Sequence, residues 1–133
     1  MQKSRLFIIL IPAMLISFTT TYAADVNDQL ITAGKNGDTA TVKSCLAKGA
    51  DINAQDEDGE TALIVAISRG RKSMALKIIA AGADVEATTN DSNTALIIAS
   101  GYGYTEVVKA LISKGANLNH INVNGWSGLY FAK

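Results

Sequence analysis

Apolar residues in this chain gather into short runs parted by polar stretches, and the runs return at a fixed step. One run reads Thr61-Ala-Leu-Ile-Val-Ala-Ile-Ser. A second, Thr94-Ala-Leu-Ile-Ile-Ala-Ser, follows 33 residues later. Each predicts a short helix opened by its threonine, whose side-chain oxygen can accept a hydrogen bond from an unpaired N–H of the first turn. Gly70 and Gly103 predict where these helices stop, since glycine reaches the left-handed conformation a helix end needs. A second helix is expected after each. Met74, Ala75, Ile78 and Ile79 in one copy, and Val107, Val108, Leu111 and Ile112 in the next, have spacings of one, three and four. That spacing gathers them on one helical face. Gly82 and Gly115 end the second helices. The polar stretch beyond predicts a projecting hairpin-like turn, closed in its best-formed copy by Asp58-Gly59.

The step holds in several registers at once. Gly49, Gly82 and Gly115 keep it, as do Gly37, Gly70 and Gly103, and Ala33, Ala66, Ala99 and Ala132. Asp28, Thr61, Thr94 and Ser127 keep it too, and all four are helix N-cap formers. A fixed period of this size marks a stacked repeat array. No single unit can bury both of its faces, so the Leu63/Leu96 and Ile78/Leu111 rows must be buried between neighbours. Each well-buried aliphatic side chain contributes roughly 1.5–3 kcal/mol, and at least about three units are needed before this outweighs chain entropy. The expected fold is all-α, a solenoid of stacked helix-turn-helix units with projecting β-hairpin-like turns.

The motifs DGETAL…GADVEA and DSNTALIIAS…GYTEVVKALISKGANLN, on their shared 33-residue step, resemble the ankyrin-repeat family. The resemblance covers Asp25 to Lys133. It implies an ankyrin-repeat domain over 24–133, with units at about 25–57, 58–90 and 91–123 and a partial unit at 124–133. The family's Thr-Pro-Leu-His opening is half kept. Ala62 and Ala95 replace the proline, and Ile64 and Ile97 replace the histidine, so histidine hydrogen bonds are exchanged for apolar contact. The closing SGLYFAK starts a first helix with no second helix after it. The expectation is that the Val107 and Leu111 row is only partly covered and that the last helix frays. A partner on that face and a shortened reading frame are the alternatives.

The first residues follow a different pattern. Lys3 and Arg5 precede an apolar run from Leu6 to Phe18, and a polar stretch then ends in small residues. That order predicts a secretory signal peptide over 1–23, cleaved after Ala23. The run spans 13 residues, against the roughly 20 a spanning helix needs. An uncleaved anchor is the alternative. The expectation is therefore export, to a periplasm first and to the medium second, with no membrane attachment after cleavage.

Composition then narrows the function. The whole chain of 133 residues holds 12 bases and 12 acids. Removing the leader takes away two bases and no acid, leaving 10 bases against 12 acids, a formal charge of −2. A nucleic-acid binder would show a basic excess. Cys45 is the single cysteine, so packing rather than disulfides must stabilise the domain. Cys45 shares the register of Ile78 and Leu111 and is expected in the core. His120, the single histidine, is expected to be a solvated turn residue. No catalytic, cofactor-binding or metal-binding set can be assembled from these residues. Gly101-Tyr-Gly103 follows a helix rather than a strand, and it lacks the lysine of a phosphate loop. Asp56-Glu57-Asp58 lacks the closing glutamate of a calcium loop. Asn90-Asp91-Ser92 matches a glycosylation triplet, of weight only in a eukaryotic host.

With no catalytic set, the surface must carry the function. In the family this chain resembles, partners lie against the turn tips and the concave face of the first helices. Carried over by register, the tips are Glu57, Asp58 and Glu60, then Asn90, Asp91 and Asn93, then Val123, Asn124 and Trp126. Along the first helices the positions are Lys35 and Asn36, then Ser68 and Arg69, then Tyr102. Trp, Tyr and Arg most often dominate binding energy, which singles out Trp126, Tyr102 and Arg69. The expected partner of a monomeric, non-enzymatic adaptor or inhibitor is another protein. Two other readings stand beside it: a stress-related protein acting through a small ligand, a metal or Cys45, and a structural protein that self-associates.

Overall fold

A computed structural model describes residues 26–128. The predicted leader over 1–23, and residues 129–133 with the Ala132 register, lie outside the described residues. Helix α1 occupies residues 26–36. It is followed by α2 (Thr39–Ala47), α3 (Ala62–Ser68), α4 (Lys72–Ala80), α5 (Ala95–Tyr102) and α6 (Thr105–Ser113), with no strand among the described residues. Within a unit α3 packs on α4 and α5 on α6. Between units α3 packs on α5 and α4 on α6, so first helices stack on first helices and second on second. The all-α repeat architecture expected from the 33-residue step is the one observed.

Local chemistry fixes the ends of the helices. The Thr61 and Thr94 hydroxyl oxygens each accept from the backbone N–H three residues on, Ile64 and Ile97, at 3.2 Å. Both threonines are buried, so these caps satisfy donors that water cannot reach. Asp38 caps α2. Its carboxylate accepts from the Thr41 hydroxyl and N–H at 2.6 and 3.1 Å, and those bonds hold its carboxyl below the usual carboxylate range. Helix stops repeat one device. After α3 the Gly70 N–H donates to Ile67 and the Arg71 N–H to Ala66, with Gly70 at φ 73°. This nested pair is the Schellman arrangement, which needs a left-handed residue at its first position. The same pair closes α5, at Gly103 and Tyr104.

The core is one cluster running from Val26 to Ala116. Leu30, Leu63 and Leu96 form one row, and Cys45, Ile78 and Leu111 another; each residue is about 1% exposed or less. Ile64 and Ile97 are buried, so the apolar contact expected from replacing histidine is made. Two expectations need correction. Asp28 caps nothing in α1, because the helix is already running at Val26 and Asp28 sits exposed within it. Val26 and Leu30, one helical turn apart and both buried, carry the helix past the register of the later caps. Val107 and Leu111 are not partly covered but fully buried. Helix α6 packs on both α5 and α4, and Ile112, at the edge of the same face, is 45% exposed instead.

Candidate functional site

The hairpins are built by a register that the opening pattern did not single out. Asp56, Thr89 and Asn122 lie 33 residues apart, and each side-chain oxygen accepts two backbone N–H groups, from the residues two and four positions on. Asp56 Oδ1 takes Asp58 and Glu60, both at 2.9 Å. Thr89 Oγ1 takes Asp91 and Asn93, at 3.3 and 3.2 Å. Asn122 Oδ1 takes Asn124 and Trp126, at 2.9 and 3.0 Å. A short polar side chain that mimics a backbone turn is the usual means of folding a loop on itself. It sets Glu60, Asn93 and Trp126 at equivalent places, at the foot of each hairpin just before a first helix.

Hydrogen bonds then stack the hairpins. The Asn90 N–H donates to the Asp58 carbonyl at 3.0 Å, and the Val123 N–H to the Asp91 carbonyl at 3.1 Å. These are the same bond one unit apart. Gln55 Nε2 donates to the carbonyls of Gly59 and Thr88, both at 2.8 Å. Asn90 Nδ2 donates to the Glu57 carbonyl at 2.9 Å, and Asn122 Nδ2 to Asn93 Oδ1 at 2.7 Å. His120, expected to be solvated, is half-buried with Nε2 2.9 Å from the Ser92 carbonyl. Its register places it against the preceding hairpin, where a ring nitrogen can donate. The tip is thereby rigid, with much of its polar chemistry spent on the molecule itself.

Between the hairpins and the first helices lie two adjoining clefts. One is lined by Asp58, Glu60, Ser68, Thr89, Asn90, Asp91, Asn93, Ile98 and Tyr102. The other takes in Asn93, Ile97, Ile98, Gly101, Tyr102, Asn122, Asn124 and Trp126. Asn93, Ile98 and Tyr102 belong to both, so the two form one trough. Of the positions carried over by register, Asp58, Glu60, Ser68, Asn90, Asp91, Asn93, Tyr102, Asn124 and Trp126 meet there. Glu57, Val123, Lys35 and Arg69 stand outside the lining. Asn36 lines a separate recess with Asp28, Gln29, Thr32, Ala33, Asp38 and Thr41 at the first unit. Ile98 and Thr89 were not anticipated. Thr89 was signalled by the repeated oxygen-bearing register it shares with Asp56 and Asn122. Ile98 follows the buried Ile97, and its half-exposure has no sequence signal.

The electrostatics of the trough centre on Glu60. Burial pushes its carboxyl up from the ordinary value, and the negative charges of Asp56 and Asp58 push it further; Lys35 and Arg69 act the other way. Tyr102 is 57% exposed and stacks on Tyr104 with centroids 5.3 Å apart, while Lys72 Nζ lies 5.0 Å from the Tyr104 ring centroid. Cys45 is buried, its Sγ 4.0 Å from Gln29 Oε1. Among the described residues no group of three or more His, Cys, Asp or Glu could hold a metal ion. No helix among them is long and apolar enough to cross a membrane.

Comparison with known proteins gives two findings. The family model described as ankyrin repeats (3 copies) matches residues 30–132. A curated L-asparaginase of Dirofilaria immitis is 54% identical over 39 residues, which is 29% of this chain and 7% of that protein. The matched stretch is little longer than one 33-residue unit. So small a share of an enzyme carries no argument for its chemistry here.

Proposed function

The chain belongs to the ankyrin-repeat family, whose members are generally protein–protein interaction modules, and on that premise we propose that it is a non-catalytic adaptor or inhibitor. It grips another protein with the concave face and the turn tips. The observation that carries this reading is the trough itself. Nine positions carried over by register line one surface, with Tyr102 and Trp126 57% and 44% exposed within it. Large exposed aromatics over a rigid backbone are the usual anchors of an interface. The scaffold beneath is held by caps and inter-hairpin bonds, so little order has to be gained on binding. The protein acts as a monomer, outside the cytoplasm, in a periplasm first or the medium second. The support for export is the order of Lys3, Arg5, the Leu6–Phe18 run and Ala23.

The test is site-directed photocrosslinking in intact cells, with the photoreactive residue at Tyr102 or at Lys109, which is exposed on α6. A partner captured from Tyr102 and not from Lys109 is expected. Equal capture from both, or none from Tyr102, removes the concave face as the binding surface. A self-associating role is motivated by exposed Ile112, Ile121 and Val123 in the last unit. Light scattering over a range of concentrations separates that role from a monomeric adaptor. The thiol-based reading has less behind it, because Cys45 is about 1% exposed.

A further inference from the structure

The trough has a sign. Asp58, Glu60 and Asp91 line it, and no lysine, arginine or histidine is among the lining residues of either cleft. The whole chain is balanced at 12 acids and 12 bases, so this is placement and not composition. Beside the carboxylates stand the exposed ring of Tyr102 and the aliphatic Ile98, shared by both clefts.

We propose that the trough takes a basic, extended peptide segment of a partner, with one lysine or arginine side chain lying along Ile98 and Tyr102 and its charged end among Asp58, Glu60 and Asp91. The proposal rests on the concave face being the binding surface, and it adds the chemistry of the occupant. Lysine and arginine have an apolar stem and a charged head, so they match a lining that sets Ile98 and Tyr102 beside the carboxylates of Asp58, Glu60 and Asp91. A cation over a tyrosine face is attracted by the ring quadrupole. The neighbouring ring already does this within the molecule, with Lys72 Nζ 5.0 Å from the Tyr104 centroid. The repulsion of Glu60 by Asp56 and Asp58 is offset only in part by Lys35 and Arg69. An arriving cation would relieve it. An acidic or neutral side chain would not, and a bare ion would leave Ile98 and Tyr102 without a contact.

The experiment is selection of a random peptide library displayed on phage against the full chain, followed by fluorescence anisotropy with the enriched peptides. Lysine or arginine is expected at one fixed position of the enriched set. Replacing it by glutamine should weaken binding at least about tenfold, the loss expected of a charge pair within a contact. Asp58→Asn combined with Glu60→Gln and Asp91→Asn should do the same, and raised salt should weaken the wild-type complex. Circular dichroism confirms that the triple variant is folded. Tyr102→Ala locates the peptide. Enriched peptides that bind Tyr102→Ala and the triple variant as tightly as the parent lie elsewhere, and the concave-face reading falls with the proposal. Peptides that lose affinity for Tyr102→Ala but carry no fixed basic residue leave the binding surface standing and overturn the cationic occupant. A library that enriches nothing overturns the proposal, while the crosslinking at Tyr102 still decides the surface.

Discussion

Ser92 holds a φ of 61° where its register mates Gly59 and Gly125 hold 77° and 81°. The left-handed region costs an L-residue about 1–2 kcal/mol. Glycine's extra freedom in the unfolded chain offsets about 0.5–1 kcal/mol of any gain from replacing it. Ser92→Gly is therefore expected to stabilise the fold by about 0.5–1 kcal/mol, a rise of several degrees in Tm for a domain of this size. Calorimetry of the two proteins checks it, and a lower Tm in the variant would show that the serine side chain makes a compensating contact. The reverse change at Gly59 should cost more. A Cβ there would sit 2.9 Å from the Asn90 backbone nitrogen, an atom fixed by its bond to Asp58. One register thus carries two residue types for one backbone shape, and only the glycines announce it.

At the scale of the element, the hairpin depends on one acceptor. Asn122 takes the N–H groups of Asn124 and Trp126 and donates to Asn93, and it is buried. Asn122→Ala removes that acceptor from two backbone donors and should cost about 1–3 kcal/mol. Asn122→Thr should recover much of the loss, because Thr89 serves the same two positions in the preceding hairpin. Urea denaturation of the three proteins decides; a threonine variant no better than alanine would refute the acceptor role. This register was hard to read because its identity changes from Asp to Thr to Asn, and only the shared oxygen persists. The helix caps at Thr61 and Thr94 were legible because cap chemistry is local and the residue type is kept. Asp28 misled for a tertiary reason: the buried Val26 and Leu30 extend α1 past it. The orientation of α6 was also beyond the pattern. Periodicity gathers Val107, Val108, Leu111 and Ile112 on one face, but only packing against α4 and α5 decides that Val107 and Leu111 are covered and Ile112 is not. In the trough, register located nine lining positions, while the recess that takes Asn36 depends on how α1 and α2 meet.

For the whole molecule, the continuous core from Val26 to Ala116 couples the stacked units. Cys45 sits in the second helix of the first unit, about 1% exposed. If the units melt together, the thiol becomes reactive only as helix is lost. Labelling with a thiol reagent across a urea series should then trace the same curve as far-ultraviolet circular dichroism. Labelling that runs ahead of the loss of helix would mean that the first unit opens alone, as linear arrays allow when an end is weak. The Asn90–Asp58 and Val123–Asp91 bonds are one contact repeated at one offset. A second copy of residues 58–90 spliced in behind the first would therefore leave the outer joints, to 25–57 and to 91–123, as they are, and the new joint between the two copies would have the same backbone bond available. Lengthening by whole modules thus asks only for side chains that fit at a single new joint, and an added module would carry the trough one step further along the array.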